Sequence, residues 1–316
     1  MLLKLILLVV GFIILIKGAD VFVDGASSIA GNFKVSKMLI GLTIVAFGTS
    51  APEFAVSIKS IIENRGDIVL GNVIGSNILN ILLILGVSTM FHFLCVKNST
   101  VKKELPIALL ITTLFAVLLS DNIINKQANS FTRGDGLVLL LFFLVFIYYL
   151  ISMARKKIDV TQDEKYMSMG KSIAFTIVGI ISIVLGSNMV VDNASIIAKM
   201  VGISEKMIAL TIIAFGTSLP ELVTSVTATR KGEYDIAIGN VVGSNIFNLG
   251  MVLGVPVTLF GGINNITFNY IDLIVMISSI FLLFIFSFND GKITKKEGLI
   301  FLTLFLIYYN YVIFTG

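Results

Sequence analysis

Two glutamates stand where a charged side chain is hardest to account for. Each closes the same motif: Gly48-Thr49-Ser50-Ala51-Pro52-Glu53, and again Gly216-Thr217-Ser218-Leu219-Pro220-Glu221. Both follow strongly apolar sequence, and Lys59 and Arg230 are the first basic residues after them. In a lipid-embedded chain an ionisable group near the bilayer centre costs at least about 2.5 kcal/mol, so it normally faces a pathway or a partner. Two such carboxylates without a local basic partner are stable either protonated or with a cation bound, since desolvation favours the neutral form and a cation the charged one. A salt bridge is the structural alternative.

The residues around them favour cations. Pro52 and Pro220 donate no backbone hydrogen bond, and Gly48 and Gly216 loosen the preceding turn. Carbonyls near Ala46, Thr49, Ala214 and Thr217 are therefore expected to be freed. An unpaired carbonyl in lipid is costly unless it lines a cavity or meets an ion. The hydroxyls of Thr49, Ser50, Thr217 and Ser218, with Ser76, Asn80, Ser244 and Asn248, add neutral oxygens. Ser76 and Asn80, like Ser244 and Asn248, are four residues apart and share a helix face. Hard cations such as calcium and sodium take oxygen sets of this kind. Gly71-Asn72 and Gly75-Ser76-Asn77, with their copies near 240, read as small surfaces for close helix packing.

The elements that must position these residues follow from composition. The 316-residue chain is 56% hydrophobic and only 13% charged, with a mean hydropathy of +1.00, far from a soluble domain, where about a quarter of residues are charged. Its solvent is lipid. Apolar runs occupy 2–16, 38–47, 68–96, 105–119, 136–153, 172–191, 207–215, 236–260, 271–288 and 298–314. A spanning helix needs about 20 residues, so these predict ten helices, with the runs at 38 and 207 continuing into more polar sequence. No small-residue cleavage pattern follows Leu15, so the first run reads as a helix and not as a secretion signal. Cys95 and His92 are the only residues of their kinds; they exclude an intrachain disulfide and read as packing residues on an apolar run.

A repeat organises the chain. An offset of 168 aligns Gly18 to Gly86 with Gly186 to Gly254 without a gap. Residues 41–57 match 209–225 in eleven of seventeen positions, and 71–80 match 239–248 in eight of ten. The same offset pairs Asp24 with Asp192, Ser36 with Ser204 and Glu104 with Asp272. Each half then carries five helices. An odd number forces the second half to enter the membrane from the opposite side, which gives inverted repeats. The expected fold is an all-α membrane protein of ten transmembrane helices: residues 1–153 as one repeat, 154–170 as a linker loop, and 171–316 as the second.

At these motifs the sequence resembles the cation/calcium antiporter superfamily, in its sodium/calcium exchanger branch of prokaryotic type. GTSAPE at 48–53 and GTSLPE at 216–221, with GNVIGSNILN at 71–80 and GNVVGSNIFN at 239–248, look like that family's two alpha repeats. The resemblance spans essentially the whole chain. It implies exchange of Ca2+ for Na+ by alternating access, no enzymatic activity and no cofactor beyond the transported ions. It also implies a mid-membrane cluster ligated by Ala46, Thr49, Ser50, Glu53, Ser76, Asn80, Ala214, Thr217, Ser218, Glu221, Ser244 and Asn248. Potassium-dependent members carry aspartate at the position of Asn248, so the resemblance points to potassium-independent exchange. Calcium/proton exchange through the same glutamates is the alternative. The first and sixth helices, poorer in polar residues, are candidates for a sliding gate.

The basic residues give an orientation, because Lys and Arg accumulate in cytoplasmic loops. Alternate connections place fifteen on one side and seven on the other. Both termini are then extracellular and the 154–170 loop cytoplasmic, in a multi-pass protein of the cell membrane. Arg155-Lys156-Lys157 is part of that topology signal and not a nucleic-acid site. No obligate protein partner is indicated. Asn98-Ser99-Thr100 and Asn265-Ile266-Thr267 match the glycosylation sequon, with the first on the expected inner side.

Overall fold

The computed structural model describes residues 1–124, 126, 128–156, 166–202, 214–264, 266 and 269–315, with Ala214 and Thr315 described by backbone alone. Seven of its helices are long and apolar enough to cross a membrane: α1 (Leu2–Phe33), α4 (Gly66–Phe91), α6 (Arg133–Ala154), α7 (Met169–Met200), α9 (Tyr234–Phe260), α10 (Tyr270–Asp290) and α11 (Lys295–Thr315). An eighth span is the pair α2 (Lys37–Thr49) and α3 (Ala51–Ile62), bent by 48° at Ser50. The expected run at 105–119 forms α5 (Glu104–Leu118), which at 15 residues is short for a span. The run at 207–215 lies outside the described residues as far as 213; the chain resumes with a helical turn at Ala214–Gly216 and then α8 (Leu219–Arg230).

Burial sorts these helices into a centre and a rim. Within their most apolar stretches, α9 is 94% buried and α4 72%, against 17–33% for α1, α6, α7, α10 and α11. The rim helices turn Leu141, Leu144, Val145, Ile177, Val178, Ile274 and Leu306 outward, as lipid contact requires. The inner helices carry buried asparagines and serines at their centres: Ser76, Asn77 and Asn80 on α4, and Asn240, Ser244, Asn245 and Asn248 on α9.

Helices α1 and α7, 32 residues each, are about 48 Å long at 1.5 Å per residue, well beyond a bilayer core of about 30 Å, so they run obliquely or extend past it. The first exceeds its apolar run of 2–16 because it continues through Asp20 and Asp24 to Phe33. They pack antiparallel along glycines. A Cβ on Gly18 would lie 2.7 Å from Ser182 Cβ, on Gly25 2.6 Å from the Thr176 nitrogen, on Gly179 2.6 Å from Phe22 Cα, and on Gly186 2.6 Å from the Leu15 nitrogen. Backbones this close leave no room for a side chain.

Helix ends follow local chemistry. Ser36 accepts from the Leu39 nitrogen at 3.2 Å to start α2, and Thr132 and Asp135 form a capping box on α6. At the ends of α1, α2 and α9 charged residues pair. Lys231 meets Asp24 at 2.7 Å, Lys37 meets Glu233 at 3.1 Å, and Lys97 meets Asp235. Among the described residues the fold departs from purely helical where Leu94–Cys95 pairs antiparallel with Lys292–Ile293 and where Phe131 forms an antiparallel bridge with Ile263. This corrects the reading of Cys95 and His92 as residues packed on an apolar run. That run ends at Phe91, Cys95 lies half-buried in the short strand, and exposed His92 stacks on Phe93 and Tyr234.

Candidate cation site

Glu53 lies in the first turn of α3 and Glu221 in the first turn of α8. Proline at the second position of each helix explains the placement. It lacks only an N–H that the first turn would leave unpaired, so a new helix starts after the break at Ser50 or Ser218. Each glutamate is only 1% exposed. The central helices supply the facing wall: Asn72, Ser76, Asn77 and Asn80 from α4, and Asn240, Ser244, Asn245 and Asn248 from α9. In both, the α-helix widens into a π-helical stretch beginning at the last asparagine, Asn80–Leu85 and Asn248–Leu253. Such widenings are frequent at functional sites.

The hydrogen bonds form a nearly two-fold pattern. Ser50 and Ser244 share a hydroxyl contact at 3.0 Å; exchanging each for its counterpart 168 positions away gives Ser218 and Ser76, which meet at 3.3 Å. Thr49 donates to Asn240 Oδ1 at 3.0 Å, and Thr217 to Asn72 Oδ1 at 3.5 Å. Asn240 Nδ2 reaches the Glu221 carbonyl at 3.4 Å, as Asn72 Nδ2 reaches that of Glu53 at 3.5 Å. The carboxylates break the symmetry. Ser50 donates to Glu221 Oε1 at 2.9 Å, whereas neither oxygen of Glu53 has a donor within hydrogen-bond distance among the described residues.

Five buried acceptors are left over: both Glu53 oxygens, Glu221 Oε2, Asn80 Oδ1 and Asn248 Oδ1. Ser50, three residues before Glu53, is the donor to Glu221, so both carboxylates face one cluster, where two ionised groups repel. No described basic residue relieves them. Lys59 extends outward toward Glu63 at 3.9 Å, and Arg230 lies over the Phe91 ring. Burying a carboxylate without donors or a counter-charge costs several kcal/mol, so the arrangement is suited to binding a proton or a cation, and the oxygens suit a hard cation. The salt-bridge reading of the two glutamates is thereby removed.

Ten of the twelve residues expected to act together do converge: Thr49, Ser50, Glu53, Ser76, Asn80, Thr217, Ser218, Glu221, Ser244 and Asn248. Ala46 is fully buried beside Gly243, but its carbonyl accepts from the Ser50 nitrogen at 3.0 Å. The expectation of a freed carbonyl there is corrected, because this hydrogen bond closes at Ser50, where the helix bends. The carbonyl that the missing Pro220 N–H leaves over is that of Gly216, and it accepts from Ser187 at 3.0 Å. Ala214 lies in the helical turn before α8. Close packing by small residues holds on α9, where a Cβ on Gly239 would meet Gly41 Cα at 2.9 Å, but not on α4, where a Cβ on Gly71 or Gly75 would meet nothing within 4 Å among the described residues. Asn72, Asn77, Asn240 and Asn245 are more than packing surface. Their identity in both repeat blocks was the available signal.

The comparisons agree in kind. A family model described as "Sodium/calcium exchanger protein" matches residues 3–152 and 171–314. The chain is 37% identical to "Putative antiporter CaxA" of Alkalimonas amylolytica, with all of both chains covered, and 32% identical to "Sodium/calcium exchanger MaX1" of Methanosarcina acetivorans over 98% of each. It superposes on a structure of the sodium-calcium exchanger NCX_Mj, soaked with 10 mM Na+ and no Ca2+. The TM-score is 0.85 at 34% identity, with 97% of each chain covered.

Proposed function

The chain belongs to the sodium/calcium exchanger family, and we propose from this that it exchanges Ca2+ for Na+ without potassium, at a site holding Glu53 and Glu221. One observation carries the proposal: two buried carboxylates, facing one cluster and without a basic partner among the described residues, lie among amide and hydroxyl oxygens drawn from both halves of the chain. Calcium, or two sodium ions, matches the charge of both glutamates ionised. The remaining oxygens of Ser50, Ser76, Asn80, Ser218, Ser244 and Asn248, with Thr49, Thr217 and the main chain at Ala214, complete the ligand set.

Exchange follows from charge. Filled by one calcium or by sodium ions, the site is neutralised and the carrier can change its accessible side. Empty, it buries two repelling carboxylates, which costs free energy and opposes leak. Movement of more than two sodium ions per calcium transfers net charge and responds to voltage at about 2.3 kcal/mol per charge per 100 mV. The glycine-lined antiparallel pair α1 and α7 is the candidate sliding gate. The reciprocal hydrogen bonds support reading residues 1–153 and 171–316 as inverted five-helix repeats, ten helices in all, joined by a cytoplasmic 154–170 loop.

The test is calcium-45 uptake into proteoliposomes loaded with sodium, with potassium, or with a proton gradient. Sodium alone should drive uptake. Uptake driven by the proton gradient and indifferent to sodium would move the protein to calcium/proton exchange.

A further inference from the structure

We propose that Asn77 and Asn245 are positioning residues, which fix the side-chain amides of Asn80 and Asn248 with their oxygens turned into the cation site; this rests on the site reading above. An asparagine amide presents an oxygen on one side and an NH2 donor on the other. Beside a cation the wrong rotamer replaces a ligand by a repelling donor, so something must choose the orientation.

The hydrogen bonds make that choice. Asn245 Nδ2 donates to the main-chain carbonyl of Asn77 at 3.3 Å, and Asn77 Nδ2 to that of Asn245 at 3.5 Å. A carbonyl only accepts, so each NH2 must face it, and each Oδ1 must face the other way. There Asn245 Oδ1 accepts from Asn80 Nδ2 at 2.9 Å, and Asn77 Oδ1 accepts from Asn248 Nδ2 at 3.1 Å. The donors of Asn80 and Asn248 are thereby engaged, and their oxygens are the two left without any partner. All four side chains are 1–2% exposed, so bulk water does not reach them to satisfy a flipped amide.

The clasp also crosses the chain. A residue of α9 orients the amide on α4, and a residue of α4 orients the one on α9, at the point where each helix enters its π-helical stretch. Helix–helix adhesion alone is the competing role. It would be served by the two main-chain bonds and gives no reason for the bonds to Asn80 and Asn248.

Double-mutant cycles in sodium-driven calcium-45 uptake separate the two. Asn245→Ala is expected to raise the apparent KM for calcium about tenfold, the order expected for one lost ion contact, with Vmax nearly kept. Asn245→Asp, held protonated by burial, keeps an acceptor facing Asn80 and an O–H donor for the Asn77 carbonyl, and should return KM to within about threefold of the native value. Combined with Asn80→Ala, the Asn245→Ala change should add nothing, whereas with Asn248→Ala its effect should multiply. An unchanged KM in Asn245→Ala, an Asn245→Asp protein as weak as Asn245→Ala, or full multiplicativity with Asn80→Ala overturns the proposal. Should Asn245→Ala not purify as a monodisperse carrier, Asn245→Gln replaces it, since it shifts both polar atoms by a methylene; a native KM there overturns the proposal equally. If instead Asn80→Ala and Asn248→Ala themselves leave KM unchanged, the ligand assignment fails and the clasp falls with it.

Discussion

Glu53 and Glu221 differ in one respect that their sequence context hides. Ser50 donates to Glu221, while no donor lies within hydrogen-bond distance of the Glu53 carboxylate among the described residues. Removing either charge leaves one carboxylate against a divalent ion in a buried site. Glu53→Gln and Glu221→Gln are each expected to reduce calcium exchange by about 100-fold or more, the equivalent of about 3 kcal/mol. Both should remain folded, because neither side chain anchors a structural ion pair among the described residues. Near-native uptake by either purified variant would exclude its role. Asn248 tests the charge count from the other direction. Asn248→Asp puts a third carboxylate beside the pair, and the repulsion is relieved by a proton or a further cation. The variant should show steeper pH dependence of uptake or a potassium effect. Strict potassium dependence of the native protein would contradict the reading of Asn248.

At the scale of elements, α1 and α7 are distinguished by how little separates them. A Cβ on Gly186 would lie 2.6 Å from the Leu15 nitrogen and 2.8 Å from its Cα, so even alanine requires the backbones to part. Neither helix supplies a side chain to the polar site, apart from the hydroxyl that Ser187 gives to the Gly216 carbonyl. If this pair slides to expose the site, Gly186→Val should slow calcium-45 exchange by about tenfold or more while changing the apparent KM for calcium little. A large rise in KM at unchanged Vmax would assign the pair to shaping the ion site and not to its movement. The central helices behave otherwise: α9 is almost wholly enclosed, and its Gly239 and Gly243 allow α2 to lie directly against it. Substitutions there should be felt as loss of folded protein before loss of rate.

For the whole molecule the open quantity is orientation. Lys37, Lys97 and Lys231 meet Glu233, Asp235 and Asp24 at one end of the helix bundle. This is the end that the distribution of basic residues assigns to the cytoplasm. Both termini are then outside and the 154–170 loop inside. Leu2→Cys and Gln162→Cys, each in a Cys95→Ala background, test this by labelling intact cells with an impermeant thiol reagent. Position 2 should be modified from outside and position 162 only after permeabilisation; the reverse pattern inverts the topology.

Lipid as the solvent, the repeated motifs and the acidic, oxygen-rich make-up of the buried cluster could be read from the residues alone. Composition alone demands lipid, and a duplication that keeps Gly-Thr-Ser-x-Pro-Glu and Gly-Ser-Asn identical preserves polar residues that lipid would otherwise eliminate. The start of α3 and α8 at Pro52 and Pro220 was legible for the same reason, since proline constrains its own backbone. Partners across the fold were not legible. That Ser50 of one half serves Glu221 of the other, and that Asn77 and Asn245 hold Asn80 and Asn248, depends on how the two halves pack against each other at the centre. Hydrogen bonds between residues 165–171 positions apart are set by packing, and packing is decided only when the whole chain has closed around them.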